Sequence, residues 1–162
     1  MGPMTWTDQI DSHSCVLLRI GERTFALPAD QVAELVSPSR IFKFPHHTTE
    51  LDGVMLRRGR VVPVCDLAEK LTGKRLQSRR FYLIAWRQQA GSRETVALPV
   101  SGDCELIKAD LTPAGPSDSP HVAAWLSHSG EVVEVLNLSA LTPELVHTAP
   151  SLSSESSMDV PA

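Results

Sequence analysis

This sequence has few aromatic side chains and little net charge. Phe, Trp and Tyr make up 5% of the 162 residues, and the formal net charge is −4. Proteins that bind nucleic acid use a positive field or aromatic rings on which bases stack. The composition therefore argues against a DNA-binding or RNA-binding protein.

Cysteine is also scarce, and no two cysteines lie close together. Cys15, Cys65 and Cys104 each lie in an apolar segment, which is typical of reduced thiols that pack as small hydrophobic side chains. A small enzyme stays an open alternative, built either around Cys65 as a nucleophile or around the adjacent pair His46 and His47. Adjacent residues of a strand point to opposite faces, so this pair is poorly placed to chelate a metal. We expect no enzyme, no metal and no cofactor.

The chain lacks long hydrophobic runs and glycine-rich loops that hold phosphates. No apolar stretch reaches the roughly 18 residues of a membrane helix, and the first residues show no signal-peptide pattern. Motifs such as H-E-x-x-H and G-x-S-x-G are missing as well. We expect a cytoplasmic binding protein that does not insert into the membrane.

The sequence does contain a series of short β-type segments separated by turns. Their spacing is typical of small barrels or of a sandwich. The expected strands are 15–20, 24–27, 41–44, 54–56, 61–64, 81–86, 95–100 and 132–136, with a polar loop over 87–94.

Helical periodicity is rare by comparison. Single helical turns are expected at 30–36 and 66–71, and a short C-terminal helix at about 139–146. We expect residues 1–13 to be flexible and the Ser- and Pro-rich residues 148–162 to be disordered.

The sequence repeats itself at a distance of 71 residues. The pattern T-x-A-L-P occurs at 24–28 and again at 95–99, and the pattern G-x-V-V-x-V occurs at 59–64 and again at 130–135. Both matches keep their order and need no gap. The repeat therefore indicates two copies of one small β-unit.

Two such units are expected to pack as two barrels with a groove between them. A single unit of about 60 residues buries little surface and is only marginally stable. The first barrel is expected at about 14–75 and the second at about 78–142.

Three arginines lie at one predicted hairpin turn, and we call Arg57, Arg58 and Arg60 the arginine tip. At the matching positions the second copy has other residues, namely His128, Ser129 and Glu131. The repeated unit therefore does not require arginine there. We therefore interpret the arginine tip as a surface that contacts a partner.

Two segments resemble the CheW family, the coupling proteins of bacterial chemosensory arrays. F-A-L-P at 25–28, followed by V-x-E-L at 32–35, is similar to the family's Y-A-L-P…V-x-E-V stretch. The segment 53–67 resembles its G-V-x-N-L-R-G-x-x-x-P-V-x-D-L signature. The resemblance covers roughly residues 14–145.

The resemblance implies an all-β fold of two packed five-stranded Src-homology-3-like barrels without catalytic activity. It also implies an adaptor that bridges the methyl-accepting chemoreceptor tip and the regulatory domain of a CheA-type histidine kinase. Such a protein is cytoplasmic and lies at receptor arrays on the inner membrane. The alternative is a module that binds or sequesters the kinase only, in a non-flagellar chemosensory-like pathway.

Matching positions imply the residues that contact partners: Val32, Glu34, Gly53, Arg57, Arg58 and Gly59. Arg58 stands where the signature has its arginine. Leu56 and Arg57 depart from the signature, which has Asn and Leu there, and Ser101 and Ala124-Trp125 are departures in the second half. These differences indicate a divergent paralogue.

Overall fold

The structure of the protein is a computed structural model that describes residues 13–43, 51–89 and 91–142. The pair His46 and His47 lies outside the described residues. So do 1–12 and 148–162, for which flexible and disordered ends were predicted.

The described residues form eleven strands, two short α-helices and one 3-10 turn. The strands are β1 (His13–Ile20), β2 (Arg23–Pro28), β3 (Val32–Val36), β4 (Gly53–Arg57), β5 (Arg60–Val64), β6 (Phe81–Gln89), β7 (Ser92–Val100), β8 (Glu105–Ala109), β9 (Leu111–Pro113), β10 (Val122–His128) and β11 (Glu131–Leu136). The helices are α1 (Ala68–Thr72) and α2 (Leu138–Leu141), and the 3-10 turn is Ala29–Gln31.

The strands build two sheets, and each sheet curls toward closure. The six-stranded sheet has the order β8-β1-β2-β11-β10-β9. Only Asp110 separates β8 from β9, so these two edge strands act as one bent strand that closes a barrel. The five-stranded sheet has the order β3-β6-β7-β5-β4, and a bridge between Phe42 and Val54 joins the segment after β3 to the edge strand β4. The mainly-β, two-barrel fold was predicted correctly.

Each barrel takes strands from both halves of the chain. The hairpin β1–β2 pairs with β8 and β11, while the hairpin β6–β7 pairs with β3 and β5. The boundaries predicted at 14–75 and 78–142 therefore do not separate the two sheets. The repeat itself is visible, because the turn at Arg58 has φ of 53° and the turn at Ser129 has φ of 52°.

Three clusters of buried side chains hold the fold together. One lies inside each barrel, around Met55 in the five-stranded barrel and around Leu126 in the six-stranded barrel. The third lies between the sheets and includes Phe25 and Leu98 together with side chains of both helices. The hairpins β1–β2 and β6–β7 each pair with strands from the other half of the chain, and we call them the exchanged hairpins. One face of each lines a barrel interior, and the other face packs into the cluster between the sheets. This double burial explains their continuous apolar runs.

Three local predictions need correction. Residues 30–36 are a 3-10 turn followed by β3, whose side chains alternate between exposed and less exposed positions. The predicted loop 87–94 is mostly strand, because Arg87 is buried and pairs with Glu94. In the predicted strand 41–44, only Phe42 makes a strand-like bridge among the described residues.

The C-terminal helix begins close to where it was predicted. It spans Leu138–Leu141 and ends at Thr142, whose backbone is extended. The predicted helical residues 143–146 lie outside the described residues. Cys65 directly follows β5.

Candidate functional site

The arginine tip closes the β4–β5 hairpin. Arg57 and Arg60 face each other across the hairpin, and Arg58-Gly59 forms the two-residue turn. Both turn residues have positive φ, 53° and 77°, as a type I′ turn requires. The turn therefore sets the direction in which the Arg58 side chain leaves the barrel.

Glu34 on β3 reaches the arginine tip because barrel closure brings the β3 edge next to β4. Arg57 donates two hydrogen bonds to this carboxylate, from Nη2 to Oε1 at 2.6 Å and from Nε to Oε2 at 3.2 Å. Arg58 Nη2 lies 3.5 Å from the same Oε1. The side chain of Arg57 is 36% exposed and that of Arg58 is 75% exposed.

Charge dominates this cluster at neutral pH. The hydrogen bond from Arg57 lowers the pKa of Glu34, and the same bond raises the pKa of Arg57. Both groups are therefore ionised. Three arginines against one glutamate leave a formal charge of 3 − 1 = +2 on a chain whose net charge is −4.

An exposed apolar strip lies on the outer face of the same hairpin, and we define it as Phe42, Leu56 and Val61. Leu56 and Val61 are cross-strand partners, and 56% and 63% of their surfaces are exposed. Phe42 is also exposed and pairs with Val54, two residues before Leu56 and therefore on the same face. These residues were not among the predicted contact residues. The sequence pointed to this strip only through Leu56, which stands where the family signature has Asn.

The structure brings together four of the six predicted contact residues: Glu34, Arg57, Arg58 and Gly59. Val32 is partly buried against the cluster between the sheets and pairs with Ala85, so it supports β3 more than it offers a surface. Gly53 lies at the opposite end of β4, where it packs against the backbone of Phe42.

The matching surface of the six-stranded barrel has a different character. Its turn is Ser129-Gly130, and the strand residues beside it are His128 and Glu131. Leu106 and Val132 are exposed there. The surface has apolar side chains but no arginine at the tip, so the positive charge belongs to the five-stranded barrel alone.

Two polar clefts lie where elements of the two sheets meet. One, of about 500 Å³, is lined by the β1–β2 turn, by residues of 72–78 and by Ser101. The other, which we call the cleft, measures about 270 Å³ and is open to solvent, and its lining includes Asp30, Gln31, Trp86, Arg93, Asn137 and Ser139. The guanidinium of Arg93 stacks over the Trp86 ring, 4.3 Å from its centre.

The cysteines lie in surroundings that keep them protonated or covered. Cys65 is fully buried. Burial raises the pKa of Cys15, and burial together with Asp103 raises the pKa of Cys104 to about 11.

In the part of the chain that the structure describes, no group of three His, Cys, Asp or Glu side chains is placed to hold a metal ion. No helix within these residues is long and apolar enough to span a membrane.

Comparisons with known proteins match both barrels. A family profile described as a CheW-like domain matches residues 14–145. Among solved structures, the chain is similar to the scaffolding protein TtCheW from Thermoanaerobacter tengcongensis. The TM-score is 0.65 at 22% identity, covering 76% of this chain and 88% of TtCheW. A search of curated proteins found no match. The structural similarity confirms the predicted two-barrel fold.

Proposed function

Because the chain belongs to the CheW-like family, we propose that it couples the cytoplasmic tips of chemoreceptors to a CheA-type histidine kinase. CheW-like proteins are non-catalytic scaffolding adaptors of chemotaxis signalling, and the prediction of a non-enzyme is confirmed on that ground. In this proposal the protein acts in the cytoplasm, peripheral to receptor arrays at the inner membrane.

The observation that carries this proposal is the arginine tip beside the exposed apolar strip. An arginine next to exposed leucine and valine has the composition of the centre of a protein interface. The fold builds the same turn with Ser129 in the other barrel, so Arg58 is not needed for the turn. We assign the surface formed by the arginine tip and the apolar strip to the contact with the regulatory domain of the kinase, with Glu34 beside it as the internal partner of Arg57.

The receptor contact is assigned to the cleft between the sheets. A receptor tip is a helical hairpin, and the side chains along one face of a helix project at intervals of three and four residues. The cleft is open to such side chains, and Arg93 and Asn137 offer hydrogen-bond donors at its wall.

The test is a titration of the full chain with each purified partner from the same genome, the kinase regulatory domain and a receptor cytoplasmic fragment. We expect Arg58→Glu to weaken kinase binding at least about tenfold, since it replaces an attractive charge by a repulsive one. Its melting temperature should match that of wild type. Arg75→Glu is the matched control, because Arg75 is equally exposed and follows α1, outside the tip and the strip.

Two outcomes would contradict this assignment. One is kinase binding by Arg58→Glu that equals wild type. The other is a melting temperature several degrees lower, which would make Arg58 a structural residue.

A module that binds only the kinase is a second candidate, favoured by the polar lining of the cleft. Receptor helices that pack through apolar side chains would find little apolar surface there. Titration with the receptor fragment alone separates the candidates, because binding supports the coupling adaptor and its absence supports the kinase-only module.

A further inference from the structure

Glu34 accepts two hydrogen bonds from Arg57, whereas Arg58 forms only a longer ion pair with it, at 3.5 Å. We propose that Arg57 strengthens partner binding by neutralising Glu34, so that the exposed guanidinium of Arg58 stays available to a carboxylate on an acidic partner surface. This inference rests on the proposed function of the arginine tip as a contact surface.

The geometry of the two arginines supports different roles. Arg57 meets the carboxylate with two donors, Nη2 at 2.6 Å and Nε at 3.2 Å, and such forked pairs fix both partners. Arg58 forms a longer ion pair with the carboxylate, with Nη2 at 3.5 Å, and three quarters of its side chain is exposed. Arg57 is therefore committed within the molecule, whereas Arg58 is available outside it.

Removing Arg57 would change what Arg58 can bind. Glu34 Oε1 already lies 3.5 Å from Arg58 Nη2, so a released carboxylate would pair with Arg58. The formal charge of the cluster would fall from 3 − 1 = +2 to 2 − 1 = +1. A carboxylate at this site would also repel an acidic partner.

The fold does not need this ion pair to form the hairpin. In the six-stranded barrel, Glu105 and His128 occupy the positions equivalent to Glu34 and Arg57, and within the described residues they form no ion pair with each other. Its turn nevertheless has the same backbone conformation, with φ of 52° and 79°. The Arg57–Glu34 pair is thus a feature of one surface and not of the repeated unit.

The experiment compares Arg57→Gln with the double variant Arg57→Gln/Glu34→Gln in the intact chain. The probe is the regulatory domain of the CheA-type kinase from the same genome, and affinity is measured at low and high salt. We expect Arg57→Gln to weaken binding about tenfold. The double variant should recover to within about threefold of wild type, because no carboxylate remains to capture Arg58. His128→Gln, at the equivalent position of the other barrel, is the matched control.

Recovery of binding by the double variant distinguishes this role of Arg57 from two other possible roles. If Arg57 touches the partner directly, or only stabilises the hairpin, deleting Glu34 as well restores nothing. A double variant as weak as Arg57→Gln would therefore overturn the inference. Wild-type protein that binds neither the kinase domain nor a receptor fragment would instead overturn the proposed function, so the two failures are distinguishable.

Discussion

Two glycines of the signature segment, Gly53 and Gly59, differ in the space around them. A Cβ atom on Gly53 would lie 2.5 Å from the carbonyl oxygen of Phe42 and 2.9 Å from Ile41 Cγ2, at a φ of 149°. A Cβ atom on Gly59 would meet nothing within 4 Å, at a φ of 77°. Glycine is required at position 53, where Phe42 and Val54 form their bridge. Position 59 needs only a residue that accepts the left-handed conformation.

We expect Gly53→Ala to lower the free energy of unfolding by about 2–4 kcal/mol, through strain and through the clash with backbone that cannot move away. Gly59→Asn should lower it by less than about 1 kcal/mol, because Asn accepts the left-handed region. Urea unfolding of the two variants and of wild type measures both values. Equal losses would show that the bridge between Phe42 and Val54 does not constrain position 53.

The site was predictable only in part at the residue scale. The repeat placed Arg58 in a turn and showed that arginine is not required there, and the structure agrees. The pair between Glu34 and Arg57 was not predictable, because it joins residues 23 positions apart in sequence through closure of the barrel. No local sequence pattern indicates which arginine of the tip binds a carboxylate that is distant in the sequence.

Among the elements, the strands of the two exchanged hairpins were the easiest to predict. Their side chains are buried on both faces, which gives long apolar runs such as 15–20 and 81–86. The strands β3, β8, β9 and β10 were missed, because exposed side chains interrupt their apolar pattern. The apolar strip was missed for a related reason, since a strand residue that faces a partner has the same composition as one that faces a core.

Arg87 shows how a charged residue can belong to a strand interior. Its side chain is fully buried. Nε donates to Glu94 Oε1 at 2.9 Å, and Nη1 donates to the carbonyl of Thr142, also at 2.9 Å. The residue therefore ties β6 of one barrel to the end of α2, which follows the last strand of the other.

We expect Arg87→Ala to reduce the free energy of unfolding by about 3 kcal/mol, since it leaves Glu94 and Thr142 without their buried partner. Arg93→Ala, on the paired strand, is the control. It removes an exposed guanidinium stacked on Trp86 and should reduce stability by less than about 1 kcal/mol. Chemical denaturation at neutral pH measures both, and similar losses would mean that Arg87 does not link the barrels.

For the whole molecule, the exchange of hairpins makes the two halves dependent on each other. Without residues 77–162, the five-stranded sheet loses β6 and β7, and the hairpin β1–β2 loses its partners β8 and β11. The offset of 71 residues could not reveal this exchange. The repeat would look the same in the sequence whether strands pair within one copy or between the two copies. The boundaries predicted from the repeat therefore differ from the boundaries of the sheets.

We expect fragments 1–76 and 77–162 to be unfolded when separate and to assemble into the native fold when mixed in equal amounts. Each fragment alone exposes the apolar faces that the other covers. Circular dichroism and amide exchange of the separate and mixed fragments check this. A fragment that unfolds cooperatively by itself would show that a barrel can be completed without the exchanged hairpin.

The shared hairpins also determine the order in which a nascent chain can fold. The hairpin β1–β2 leaves the ribosome before β11, its neighbour in the sheet, which follows about a hundred residues later. At about 5–20 residues per second, the hairpin waits roughly 5–20 s with two apolar faces uncovered. Chains that are being translated from the same mRNA are therefore most prone to misassemble with one another before β11 is translated.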